Sequence, residues 1–384
     1  MTKIATKRAK FEELGRLEDE LFRDLDDAPP VLVVVFASSK TPFAEVMQKL
    51  EQRFQGATVI GSTTAGEFTE DGDGQGTVTV FGLAGDYRAC AGLGMGLASD
   101  PEGAVHRAIE GLPTSQEGYD HKTGIVLLDP LAGHGEEAAL LLAGELGDSP
   151  LVGGAAGDDL AMTKTLVAAA GKVSSDAIVA ATIFSRVPLG IGVKHGHTAL
   201  SQPLKVTRAD GSVVLEIDGR PAWEVWLENT RQRAHELGLD AEANAGAYLL
   251  RFEAGLRVGH EYKVRAPLAP KPGGGILFAT PLPEGTVFSI MESDASAQVD
   301  SAVAAATIAR TTLGGREVAG ALVFDCICRK LILEDGYGPM LEKVSEALGG
   351  APLAGFETYG EIAMNSGDMS GFHNTTSVVL AFPR

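Results

Sequence analysis

With 384 residues the chain has length for two or three domains, and at 45% hydrophobic and 22% charged it can bury ordinary globular cores. A formal charge of -19 argues against nucleic acid and anionic membranes, which reward lysine and arginine, and leaves room for a cationic or zwitterionic ligand. The longest apolar run, Val31 to Ala37, is far short of the roughly 20 residues of a membrane span, no apolar segment follows the basic N-terminus, and Cys90, Cys326 and Cys328 suggest no disulfide framework, so a cytoplasmic protein is expected.

In chain order, Phe11, Leu14, Leu17, Leu21, Phe22 and Leu25 recur at helical spacing on a charged background, giving an amphipathic helix that caps a domain or pairs subunits. One pattern then recurs three times: strand, helix, strand, glycine-acid turn, strand. The first copy runs from Val31 through helix Phe43 to Phe54 and the turn Gly61 to Glu67, ending at Thr77 to Phe81. The second runs from Ile125 through Glu136 to Leu146 and Gly153 to Asp158, ending at Ala177 to Phe184. The third runs from Ala321 through Met340 to Leu348 and Gly355 to Glu361, ending at Ser377 to Phe382. Strand-helix pairs, Tyr87 to Leu112 and Thr286 to Thr312, separate the copies. Leu204 to Trp226 reads as two strands about an Asp-Gly turn and then a helix.

The strands are continuous runs of Val, Ile and Leu, as in strands covered on both faces. The expected fold class is therefore α/β, with mixed sheets flanked by helices and internally duplicated strand-helix-strand units. Residues 1–30 form the N-terminal helix, with domains over 31–200 and 201–384.

Several motifs are weak. The alternation Gly92, Gly94, Gly96 lacks the third glycine of a dinucleotide fingerprint and instead bares one strand face for close packing. Asp71-Gly72-Asp73-Gly74 lacks the bidentate glutamate of a calcium loop. His195-Gly196-His197 has no neighbouring set to complete a metal site and reads as a pair of solvent-exposed loop histidines. The turn glycines read as suppliers of positive φ, and the acids Glu67, Asp158 and Glu361 as acceptors of strand-end N–H groups or as parts of a site.

The densest polar cluster lies in the last third: Asp325, Cys326 and Arg329, then Tyr359 and Glu361, then His373 and Asn374, each block where a strand gives way to a loop. Asp325 and Arg329 read either as an ion pair tying a loop or as a clamp for an amino-acid-like ligand. Cys326 with His373 is the one pairing that would suit a thiol-dependent enzyme, although no local signature of a cysteine enzyme surrounds it.

The Asp-Cys dyad with its arginine and the Tyr-Gly-Glu turn resemble the FIST family, over about Val31 to Pro383. That resemblance implies a bacterial-type sensory protein, with a FIST N-terminal and a FIST C-terminal domain, that binds a small ligand such as an amino acid through Asp325, Cys326, Arg329, Tyr359, Glu361, His373 and Asn374. It implies signalling through a separate partner, without catalysis. An alternative within the resemblance is a haem-based nitric oxide sensor regulating a histidine kinase, with His373, His195 or His197 on the iron.

Overall fold

A computed structural model describes residues 1–364 and 367–384. Its core is a ring of three units built to one plan. Each has an antiparallel first strand, a helix, a strand, a second helical stretch, a parallel strand, a short hairpin and a returning antiparallel strand. The first unit uses strands Lys3–Ala9, Leu32–Ser38, Thr58–Thr64 and Val78–Ala84; the second uses Tyr87–Met95, His121–Leu128, Leu151–Ala155 and Ala177–Ser185. The third uses Gly190–His195, Val318–Cys326, Leu353–Thr358 and Thr376–Pro383.

The hairpins close the ring. The hairpin Glu67–Thr69 and Gly72–Gly74 of the first unit joins the third unit's sheet, Val167–Ala169 and Lys172–Ser174 of the second joins the first, and Glu361–Met364 and Gly371–His373 of the third joins the second. The three glycines of the repeated turn occupy equivalent mid-strand positions. Gly61 lies between Val35 and Ala168, Gly153 between Val126 and Ile362, and Gly355 between Val323 and Phe68. They are small rather than turn-forming: a Cβ would lie 2.7, 1.9 and 2.2 Å from the carbonyls of Val35, Val126 and Val323.

One face of each sheet turns inward to a shared core that includes Phe36, Ile60, Ile125, Val179, Phe324 and Phe356. Phe36 and Phe356 pack with ring centroids 4.6 Å apart. The outer faces are covered by helices, so the strands are buried on both sides. The N-terminal helix, Leu14–Asp24, is one of these: it seats Leu14, Leu17 and Leu21 on the first sheet and therefore caps.

The third unit is interrupted. Between its first strand, Gly190–His195, and its first helix, Ala295–Thr312, residues 198–292 form a nine-stranded sheet with helices Ala222–Glu236 and Ala245–Arg251 around Trp226, Phe278 and Phe288. Ser201 lies just inside this insertion. Strand Val287–Glu292 therefore belongs to the inserted sheet; the counterpart of Tyr87–Met95 is Gly190–His195, a hundred residues upstream of the helix that follows it.

Candidate functional site

Strand Val318–Cys326 runs directly into helix Ile327–Leu333, which places Arg329 one turn beyond Asp325. The guanidinium donates from Nε to Asp325 at 2.8 Å, and its remaining nitrogens bond the side chain of Gln298, Ser301 Oγ at 3.0 Å and the Gln298 carbonyl at 2.8 Å. Tyr337 donates to the other Asp325 oxygen at 3.0 Å. Burial raises the Asp325 carboxyl while Arg329 opposes the rise. Both residues are buried, so the arrangement ties helix Ala295–Thr312 to the strand end, with every guanidinium nitrogen engaged by protein.

The acids of the repeated turn are anchored alike. Thr64 donates to Glu67 at 2.7 Å and the Thr77 N–H adds a bond of 2.7 Å; Thr358 donates to Glu361, and the Thr376 N–H adds 3.0 Å. Burial pushes Glu67 up to about 7 and Glu361 well above the usual carboxylate range. Asp158 differs. Burial would raise it, but N–H groups of Lys164, Thr163 and Met162 and the Tyr359 hydroxyl hold it below its usual value.

Glu361 stands opposite His373 in the hairpin register. A His373 ring nitrogen bonds the Met369 carbonyl at 2.8 Å, and burial pushes the imidazole down to about 3. Burial pushes the Cys326 thiol well up, with Cys328 beside it. That is the opposite of what a nucleophilic thiolate needs.

The insertion covers a second group that sequence reading placed in solvent. His195 ends its strand half-buried, and His197 is folded fully inside, because Gly196 lets helix Ala295–Thr312 approach to 2.5 Å from where a Cβ would sit. His197 lies 3.6 Å from Glu253 of the insertion, and Thr375 donates to the same carboxyl at 2.7 Å. Burial lowers His195 to about 4 and His197 well below the usual value, and raises Glu253 to about 8. The one signal for this in the sequence was the glycine between the two histidines.

Along the seam between ring and insertion, Asn374 accepts from the Ala266 N–H at 3.2 Å and Thr280 Oγ1 at 3.3 Å. Arg265 donates to the Phe372 carbonyl at 2.8 Å and to Glu136 at 2.7 Å. Beside these contacts opens a cleft of about 1050 Å³ between helix Gly135–Leu146 and the inserted segment Ala279 to Pro283, with Tyr359 and Phe372 on its ring side. The corresponding corner of the first unit, at the start of helix Phe43–Arg53, holds a hollow of about 310 Å³. The insertion supplies the extra wall.

A FIST N domain model matches residues 31–220 and a FIST C domain model matches residues 222–364. The chain belongs to the FIST family. FIST domains are generally sensory domains linked to signal transduction rather than catalysts. Among curated proteins, an uncharacterized protein of Methanocaldococcus jannaschii is 31% identical over 109 residues, 28% of this chain. The match spans 21% of that relative's length. The FIST N match ends, and the FIST C match begins, inside the insertion, so the third unit's first strand, Gly190–His195, falls in the one and its strands Val318–Cys326 and Leu353–Thr358 in the other.

Of the seven residues singled out in the FIST motifs, Asp325, Cys326, Glu361 and His373 are all buried, Cys326 and Asp325 close enough to Glu361 to raise its carboxyl and His373 opposite it in the hairpin, with Arg329 turned toward helix Ala295–Thr312. Asn374 stitches the seam. Tyr359 alone of the seven faces the large cleft, where its hydroxyl donates to Asp158 at 2.7 Å and accepts from the Leu160 N–H at 2.8 Å.

Proposed function

We propose that this protein senses a small metabolite held in the cleft between helix Gly135–Leu146 and the insertion, and passes the signal to a separate partner protein. The observation that carries the reading is where the threefold plan breaks: the insertion alone departs from it, and the insertion forms one wall of the largest cavity among those described. At about 1050 Å³ the cleft reaches the upper end of the range of roughly 300–1000 Å³ typical of small-molecule sites. A ligand there would touch the ring through Tyr359 and Phe372 and the insertion through Thr280 and Pro281. Its occupancy would bias the seam that Asn374 and Arg265 hold, which is a route from binding to a change in surface.

The rival readings have less support. A haem would need an imidazole at an apolar cavity. His195, His197 and His373 are not among the residues lining the cleft, so these candidates do not fit it; the imidazole that does line it, His134, is 41% exposed and bonded to Glu137 at 2.8 Å. A thiol enzyme would need an activated Cys326, and burial works against that.

A thermal-shift screen of metabolites tests the proposal, since a ligand at 100 times its dissociation constant adds about 2.7 kcal/mol. Leu140→Trp fills the cleft from an exposed helix position and should abolish the shift while leaving the unliganded midpoint in place. A ligand whose shift survives Leu140→Trp binds elsewhere and would overturn the placement.

A further inference from the structure

The chemistry of the cleft wall narrows what it can hold, an inference that rests on the placement just proposed. The walls are largely apolar: Leu131 and Leu140 are exposed at 42% and 56%, Pro281 and Pro283 stand opposite, and the rings of Tyr359 and Phe372 lie on the ring side. Exposed leucines gathered at one hollow want an apolar occupant. The charges on the lining, among the described residues, are of one sign: Glu136, Glu137 and Glu145, with no lysine or arginine.

These carboxylates are not equally free to take a ligand. Glu136 is occupied by Arg265 at 2.7 Å, which neutralises it. Among the described residues, Glu137 and Glu145 meet only imidazoles, His134 at 2.8 Å and His106 at 3.3 Å. Neither carboxylate has a lysine or arginine partner among the described residues, so both can reward a cation. Both are helix residues two turns apart on the wall that carries Leu140 and Leu141. Aromatic faces nearby would add to the attraction for a cation seated over them.

We infer that the cleft takes an organic cation with an apolar body: an ammonium or similar group held at one of the two carboxylates, Glu137 or Glu145, and a hydrocarbon or aromatic portion against Leu131, Leu140 and Phe372. A carboxylate-bearing ligand of the same shape would meet like charge on that wall and be disfavoured. The overall charge of -19 acts in the same direction at long range.

Two matched pairs test this on the full-length protein by calorimetry and thermal shift: tryptamine against indole-3-propionate, and octylamine against octanoate. The amines are expected to bind and the acids to bind more weakly. Adding salt should weaken the amines and not the acids. Glu137→Gln with Glu145→Gln should weaken amine binding by about fivefold or more, the scale of partly screened charge pairs, while tryptophol, which lacks the charge, should bind wild type and variant alike. Acids binding as tightly as amines, amines indifferent to the double substitution, or no binding by either amine would each overturn the inference. The sensor reading would outlive that result if the metabolite screen yields a ligand of another class whose shift Leu140→Trp abolishes; with no such ligand, both fall.

Discussion

Under the insertion, burial decides protonation. Glu253 at about 8 keeps its proton in the folded protein across the window from about 4.5 to 8, where the unfolded chain has lost it, so its contribution to stability falls as pH rises through that window. Glu67 and Glu357, each near 7, act in the same direction over a shorter range. His195 near 4 and His373 near 3 act oppositely. Below about 6.5 the unfolded chain binds protons that these buried imidazoles refuse, so stability falls as pH drops from there. The two trends offset between about 4.5 and 6.5, and of these five groups only the glutamates act above that. Glu253→Gln keeps the shape and a partner for Thr375 but removes the ionisation. Its unfolding free energy, read from denaturant titrations, should match wild type near pH 5 and exceed it increasingly toward pH 8 to 9, by on the order of a few kcal/mol at most. A difference that stays constant between pH 5 and 9 would contradict the assignment.

The same scale shows why parts of the site escaped sequence reading. The four-residue spacing of Asp325 and Arg329 left an ion pair and a ligand clamp as alternatives, and the ion pair is present. What spacing could not show is that Gln298 and Ser301, a helix away in sequence, take the guanidinium's other nitrogens. Likewise Glu253 carries no motif. It becomes a neighbour of His197 only because the insertion folds back onto the strand it interrupts.

At the scale of elements, glycines govern how closely helices lie on the first strand of the second and third units. On Tyr87–Met95, a Cβ at Gly92 or Gly94 would fall 2.2 or 1.8 Å from the carbonyls of Ala108 and Ala104 in helix Pro101–Ile109. On Gly190–His195, Gly190 and Gly192 stand in the same relation to Ala309 and Ala305 at 2.0 and 1.9 Å. The alternation at Gly92 and Gly94 was legible as a face bared for packing. Gly190-Ile191-Gly192 carries the same signal, but the hundred residues after it hid the helix it serves, so Thr286 to Glu292, adjacent in sequence, took its place in the reading. Because the obstructing atom is helix backbone, Gly192→Ala must move the whole helix and should destabilise by about 1–3 kcal/mol. Gly15→Ala, with nothing within 4 Å of its Cβ on an exposed helix, should be neutral or slightly stabilising in the same denaturant titration. Equal effects at the two positions would show that close packing is not what Gly192 serves.

At the scale of the molecule, the repeat was legible and its closure was not. Each copy's strand-helix-strand pattern declares itself through apolar runs and helical periodicity. The hairpins that link the copies have strands of three or four residues, too short to read as more than turns, and each pairs with a sheet far away in sequence. The insertion stands apart from this closure. Its core draws on residues between Leu200 and Ile290, and none of the other four cores uses any of them. It leaves and rejoins the ring at adjacent points: Thr198 pairs with Glu292, and Ser293 donates to the Gly196 carbonyl at 2.6 Å. The ring surface beneath it includes the polar side chains of Glu361, His373, Asn374 and Thr375, which water can solvate if uncovered. Replacing residues 199–291 by a short glycine-serine linker should therefore leave a soluble ring with a single cooperative unfolding transition. The same variant should lose the response to any ligand of the cleft, since one wall is gone. Aggregation, or a broad non-cooperative melt followed by circular dichroism, would mean that the insertion completes the fold of the third unit rather than being added to it.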